Sequence, residues 1–147
     1  MPDMPETSPI VRFATPDDLD WCLEIDHTVS DAVFIQRKIG FDEVLIAEVS
    51  GRRTGYLRLE YLWSVVPYIG LIYVLDNARK QGVGRAILSF LESYLRAQGH
   101  TFLLSSSQVD EPPPQAWHRH MGFVECGILT GINPGGVGEV FFRKPLL

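Results

Sequence analysis

Val74-Leu75-Asp76-Asn77-Ala78-Arg79-Lys80-Gln81-Gly82-Val83-Gly84-Arg85-Ala86 is the stretch whose reading decides the fold. An apolar strand ends at its left margin and a helix opens at its right. The first amides of a helix have no partner within it, and those of Gly82, Val83, Gly84 and Arg85 fall where the helix dipole favours negative charge. Glycines at 82 and 84 admit a close backbone approach that a Cβ would hinder. Arg79, Lys80 and Arg85 concentrate positive charge in a chain of formal net charge −5. The turn is therefore suited to a pyrophosphate. A Gly-x-Gly beside basic residues is also a common structural turn. The segment lacks the first glycine and spacing of a dinucleotide fingerprint, and the Gly-Lys-Ser or Gly-Lys-Thr ending of a triphosphate loop.

To the right, Val83, Ala86, Ile87, Phe90, Leu91, Tyr94 and Leu95 recur at i, i+3, i+4 and i+7, the face of a helix packed on a sheet, and Gly99 suits its C-cap. Flanking strands at Pro67–Val74 and Thr101–Ser105 make a strand-helix-strand unit, which favours parallel pairing with a right-handed crossover. Further left, Val44–Val49 and Thr54–Trp63 form a hairpin about Ser50-Gly51-Arg52-Arg53. Before it come a short helix over Asp31–Ile39, a helix entered at Pro16 after an N-cap at Thr15 and ending near His27, and a first strand at Ile10–Phe13. Residues 1–9, rich in proline and polar residues, read as a flexible N-terminal leader. On the other side, Pro112, Pro113 and Pro114 lead to a helix over Gln115–Met121. A last hairpin follows, with arms Phe123–Leu129 and Val137–Arg143 and a loop at Gly131–Gly136. The order predicts an α/β fold, a mixed sheet with helices on its faces, in a single domain over residues 10–147.

At 147 residues and 46% hydrophobic composition the chain suits one globular core. Eighteen acidic residues against 13 Lys and Arg argue against a general nucleic-acid or anionic-membrane surface. The apolar runs are broken well before the roughly 20 residues a membrane helix needs. Cys22 and Cys126 form no metal-ligand spacing and sit among apolar residues, so both are expected as buried thiols in a cytoplasmic protein.

Taken whole, Arg79 to Gly84 resembles the Arg/Gln-x-x-Gly-x-Gly/Ala motif of the GNAT superfamily of N-acetyltransferases. Ile72-Tyr73-Val74 before it, the helix after it and Met121-Gly122-Phe123 stand where that family would place them. The resemblance covers about residues 10–144. It implies a mixed central sheet flanked by helices, with a splayed strand pair that binds coenzyme A, and acetyl-CoA as cosubstrate. Amides of Gln81, Gly82, Val83, Gly84, Arg85 and Ala86, with Arg79 and Lys80 beside them, are then expected on the pyrophosphate. The backbone of Ile72, Tyr73 and Val74 is expected on the pantetheine. The Ile72 amide would face the thioester carbonyl, where it would stabilise oxygen charge that grows as an amine attacks. Direct attack in a ternary complex needs no metal, and homodimerisation is a further family expectation.

His118 stands where the family usually carries a tyrosine that serves the departing thiolate. A neutral imidazole N–H can donate there and an imidazolium can deliver a proton, although an ordinary packing histidine fits the same place. His120 should face elsewhere on the helix, and Trp117 reads as a core or pocket-wall residue. Glu111 and Pro114 replace an asparagine and an alanine of the pattern. Ser105, Ser106, Ser107 and Gln108 are near enough to supply substitute polar contacts to the cofactor. A base must take a proton from an ammonium acceptor. Glu60 is the first candidate, unless it pairs with Arg58 on a solvent-facing strand. Tyr68, where some family members carry a glutamate base, is the second. Asp26, His27, Asp31, Tyr61 and Trp63 would line an entrance whose acidic and aromatic character favours a small cationic amine. A protein or peptide amine satisfies the same logic, and a coenzyme A-binding module without catalysis would keep the turn alone.

Overall fold

The computed structural model describes residues 8–147, so all but the last two residues of the expected leader lie outside the described residues. Within them the elements are β1 (Ile10–Phe13), α1 (Leu19–Ile25), α2 (Ala32–Gly40), β2 (Val44–Val49), β3 (Arg52–Leu62), β4 (Val66–Val74), α3 (Val83–Ala97), β5 (Phe102–Gln108), α4 (Pro112–His120), β6 (Val124–Leu129) and β7 (Glu139–Pro145). The chain falls into two compact units. The first joins the chain up to Leu59 with Gly70–Leu91, and the second joins Glu60–Ile69 with Glu92–Leu147. Hydrogen bonding orders the strands β1-β2-β3-β4 in the first and β4-β5-β7-β6 in the second. No helix among the described residues is long and apolar enough to cross a membrane.

In the first unit β2 lies antiparallel to both β1 and β3, with Ala47 opposite Gly55 and a bulge between Ala47 and Glu48. Ser50 and Gly51 both have positive φ, 52° and 76°, the backbone of a two-residue hairpin turn whose twist matches the strands. That tight turn lets β3 begin at Arg52, two residues before its expected start. The core gathers Cys22, Ile35, Ile39, Val44, Ile46 and Tyr56, with Trp21, Phe34 and Leu71 packed against it. Gly55 is placed so that an added Cβ would meet Val83 Cγ1 and Ile87 Cδ1, each at 2.7 Å. The first turns of α3 therefore rest directly on β3.

Asp18 Oδ2 accepts the Thr15 amide at 2.7 Å, and its carboxylate also receives Arg12 and Arg53. The hydrogen bond from Arg12, acting against burial, holds the Asp18 carboxyl well below the usual carboxylate range. The expected entry at Pro16 is a single 3-10 turn, and α1 stops at Ile25, before His27. Asp31 caps α2 by accepting from the amides of Val33 and Phe34 at 2.9 and 3.4 Å.

In the second unit β4 and β5 are parallel and register at one pair, Tyr68 with Leu104. β5 and β7 are antiparallel from Phe102–Pro145 to Gln108–Glu139. This ladder carries β5 three residues past its expected end at Ser105, because Ser106, Ser107 and Gln108 find strand partners on β7. Helix α4 starts at Pro112, not Gln115, since prolines fit a first turn whose amides have no helical partner anyway. Trp63 and Ser64 both have positive φ, so Trp63 belongs to a turn and not to the expected strand end. Val140 and Phe142 are core residues. β6 is exposed along its whole length, and Cys126 is exposed with it, while Cys22 is buried as expected. An outer strand covers only one neighbour, which leaves the Cys126 thiol outside.

Candidate active site

After β4 a 3-10 turn, Asp76–Ala78, delivers the chain to Lys80 and Gly82, whose φ values are 63° and 79°. The first helical bond of α3, Ala86 N–H to Gly82 O at 2.9 Å, leaves the amides before Ala86 without helical partners. A Cβ at Gly82 would meet nothing within 4 Å, so the cradle is open at its glycine. The Arg79 side chain is tied back on the turn: Nε donates to Val74 O at 3.3 Å, and the guanidinium pairs with Asp76 and lies 5.9 Å from the Tyr73 ring centre. Gln81 Nε2 donates to Asn77 O at 3.2 Å. Lys80 and Arg85 are exposed, and Ile72, Tyr73 and Val74 are half-buried. Open glycine backbone, a helix start and exposed cations fit a pyrophosphate.

In the second unit Glu60, Tyr61, Leu62, Tyr68, Leu104 and Phe141 line a cleft of about 330 Å³. Both expected base candidates therefore share one cavity, joined by Tyr61. Trp63 does not line it, and stands 80% exposed on the turn. Tyr68 stacks on Phe141 with ring centres 5.9 Å apart. Its hydroxyl lies 2.6 Å from Ser106 Oγ, which donates to Glu139 Oε2 at 2.6 Å, and Asn133 Nδ2 donates to Glu139 Oε1 at 3.0 Å. Sequence reasoning missed Glu139 and Asn133. Only the β5–β7 register, which opposes Ser106 to Phe141 and Gln108 to Glu139, brings them to Tyr68.

His118 is 3% exposed, stacked on Phe142 at 4.5 Å between ring centres and edge-on to Phe123. Its Nδ1 lies 2.7 Å from Pro114 O, which can only accept, so Nδ1 carries the proton. Nε2 then accepts from Ser105 Oγ at 2.7 Å. Burial holds the imidazole below its ordinary pKa, with the Pro114 bond and Glu139 acting weakly against it. Trp117 is half-buried and stacks on Phe123, and His120 is exposed. Ser107 Oγ is buried and has no hydrogen-bond partner.

Asp26 does not belong to the expected entrance. It is 2% exposed and accepts from Tyr56 Oη at 2.7 Å, Arg58 Nε at 2.7 Å and Thr28 Oγ1 at 2.6 Å. Burial pushes its carboxyl up, and these bonds, Arg58 first, outweigh it and hold the pKa below the usual range. Arg58 is likewise only 6% exposed, so the alternative that set it on a solvent-facing strand is not found. Arg58, two residues before Glu60 on a strand that also carries Arg52 and Arg53, gave no sign that its partner would come from the end of α1. Asp31 is a helix cap, and His27 is exposed, edge-on to Tyr73 at 6.4 Å.

The strands and the open helix start define a mixed α/β protein with unpaired amides at the opening of α3. A model of the Acetyltransferase (GNAT) family matches residues 12–123, and the chain belongs to that family. It is therefore an acetyl-CoA-dependent acetyltransferase. An aminoglycoside N(6')-acetyltransferase type 1 from Klebsiella aerogenes is 26% identical to it, over 96% of this chain and 99% of that one. Among solved structures, a ribosomal-protein-alanine N-acetyltransferase from Brucella melitensis superposes with a TM-score of 0.78 at 25% identity, covering 92% of this chain and 99% of its own. yncA from Salmonella typhimurium, solved with its cofactor acetyl-CoA, superposes at 0.75 and 21% identity, covering 95% of each chain.

Proposed function

We propose that the protein transfers acetyl from acetyl-CoA to the primary amine of a small cationic molecule, by direct attack in a ternary complex. The observation that carries this reading is the cleft with the Glu60 carboxylate beside Tyr61, Tyr68 and Phe141. Its size falls at the lower end of the roughly 300–1,000 Å³ of small-molecule sites. A carboxylate among aromatic rings attracts a cation through charge and ring faces together. The similarity to an aminoglycoside acetyltransferase over nearly the whole chain supports the same class of acceptor. In this reading the amides from Gln81 to Arg85 hold the pyrophosphate and the backbone of Ile72, Tyr73 and Val74 holds the pantetheine. Ser107 Oγ completes its hydrogen bonding on the cofactor, and Trp117 lends a wall. The Ile72 amide stabilises the thioester oxygen, and Glu60 or Tyr68 meets the acceptor nitrogen.

As leaving-group partner, His118 must first give up its bond to Ser105 or to Pro114. His118→Phe, which keeps a ring on Phe142, tests that step. A fall in kcat at unchanged KM for acetyl-CoA supports it, and an unchanged kcat removes His118 from the chemistry.

The likeness to a ribosomal-protein-alanine acetyltransferase favours a second reading, in which the acceptor is a protein or peptide amine. Thiol release from acetyl-CoA with an aminoglycoside, a polyamine and an N-terminal alanine peptide separates the two. Turnover on the peptide alone would overturn the small-amine reading, and tight coenzyme A binding with no turnover would leave a binding module. The reading places the protein in the cytoplasm, without nucleic-acid or membrane partners. Its homodimer would cover the exposed face of β6, and sedimentation at micromolar concentration checks that.

A further inference from the structure

We infer that the proton lost by the acceptor amine ends on Glu139, passed through Tyr68 and Ser106. The inference rests on the acetyl-transfer reading and identifies the base that it requires. Its ground is the polarity of one hydrogen-bonded chain. Ser106 has a single hydroxyl proton, and a carboxylate can only accept, so the 2.6 Å contact to Glu139 Oε2 spends that proton. The Tyr68 hydroxyl, 2.6 Å from Ser106 Oγ, must then be the donor in its own contact. Tyr68 thus turns its proton toward Ser106 and its oxygen toward the role of acceptor in the cleft that it lines.

A phenol is a poor resting base at neutral pH, since its pKa is about 10. Here it need not hold a proton, because it gives one as it takes one. Asn133 Nδ2 occupies Glu139 Oε1 at 3.0 Å and also donates to Val137 O at 3.1 Å, which keeps Oε2 for Ser106. The stack of Tyr68 on Phe141 holds the first member of the relay in place.

The step balances. The acceptor ammonium first loses one proton to solvent; as the C–N bond then forms, the nitrogen becomes acidic again and its second proton passes to Tyr68 Oη. The Tyr68 proton moves to Ser106 Oγ, and the Ser106 proton moves to Glu139 Oε2. The C–S bond then breaks and the electron pair leaves with sulfur as thiolate. Glu139 gives its proton to solvent, and a proton returns to the thiolate, through His118 where that residue serves the leaving group and otherwise from solvent. Ser106 and Glu139 touch no substrate atom and act through Tyr68. Glu60, in the same cleft, is left to hold the cationic acceptor by charge.

Steady-state thiol release with an aminoglycoside, repeated across mixtures of H2O and D2O, tests the relay. Glu139→Gln and Ser106→Ala should each lower kcat by about a hundredfold, the scale of general-base assistance, with KM for acetyl-CoA unchanged as a check on folding. The double variant should lose no more than either single one, because the two act as a unit. Ser106→Thr keeps the hydroxyl and should restore most of kcat. Glu60→Gln should raise the acceptor KM and leave kcat little changed. The parent should show a bowed dependence of rate on deuterium fraction, which becomes linear in Glu139→Gln and Ser106→Ala.

A Glu139→Gln protein that turns over like the parent with the same isotope dependence overturns the relay alone. If Glu139→Gln does not fold, Ser106→Ala with parental kcat does the same. A parent that acetylates none of the aminoglycoside, polyamine or peptide amines overturns the acetyl-transfer reading, and the relay with it.

Discussion

Gly55→Ala tests whether the seat of α3 on β3 sets the helix start proposed to hold the pyrophosphate. The added Cβ would lie 2.7 Å from both Val83 Cγ1 and Ile87 Cδ1, and 3.2 Å from the Cβ of Ala47. Carbon atoms rest at about 3.5–4.0 Å, so roughly 1 Å of displacement is demanded. Ile87 can swing its terminal methyl, but Val83 is branched at Cβ and nearly fully buried, so the first turn of the helix must move. Overpacking of this kind costs about 1–3 kcal/mol, less about 0.4–1 kcal/mol recovered because alanine narrows the unfolded ensemble. A net loss of about 1–2 kcal/mol lowers Tm by roughly 2–8 °C in a chain of this size. Val83 opens α3, so its displacement carries with it the amides proposed to hold the pyrophosphate. Coenzyme A affinity should fall about tenfold, or about 1.4 kcal/mol. Circular dichroism melting and titration calorimetry read the two effects. Removing the Val83 methyls should relieve part of the strain, so Gly55→Ala and Val83→Ala together should cost less than the sum of their separate losses. Parental melting and parental affinity in Gly55→Ala would refute the reasoning, since the close approach would then constrain nothing.

Asp26→Asn should cost about 3–5 kcal/mol in denaturant unfolding, because it strips the buried Arg58 of its carboxylate. Tyr56→Phe, which removes one neutral donor from the same carboxylate, should cost only about 1 kcal/mol, and equal losses would deny Arg58 its special dependence. The His118 pKa is lowered in the fold from 6.5, so the unfolded chain binds the extra proton. Its contribution to stability is complete above that value and is lost as pH falls from there toward the folded pKa. Melting curves over this range should be steeper in pH for the parent than for His118→Phe, and identical slopes would contradict the buried neutral ring. In thiol titration Cys126 should react in the native protein. Cys22, whose pKa burial pushes up to about 12, should react only on unfolding, and two fast thiols would place Cys22 outside the core.

The strand-turn-helix centre was readable because glycine, cation and apolar periodicity there all serve one local geometry. Val44–Val49 was legible to the residue for a similar reason, an apolar run closed by a Ser-Gly turn. Errors at the ends of β3, β5 and α4 share a cause. A two-residue turn, a strand partner or a proline-tolerant first turn each moves a boundary that propensity alone leaves undetermined. Glu60 and Tyr68, which line one cleft, could be singled out as candidates because strand alternation and the family resemblance act locally. Asp26 was misplaced, and the Glu139 contact overlooked, because their hydrogen bonds come from partners 30 or more residues away, Tyr56 and Arg58 for one and Ser106 for the other.

The outer position of β6 has a colloidal consequence. Its free edge is a template on which another chain's backbone can add, and Val124 and Ile128 are 67% and 63% exposed. The bulge between Glu125 and Gly127 breaks the regular ladder there. Glu125, paired with Arg119, sets charge beside it. Bulge and charge are gatekeepers that natural sheets use against fibre-like growth, and this edge depends on both. Straightening the bulge and neutralising Glu125 together would leave an acetyltransferase with an unaltered cradle and a much lower concentration at which it stays in solution.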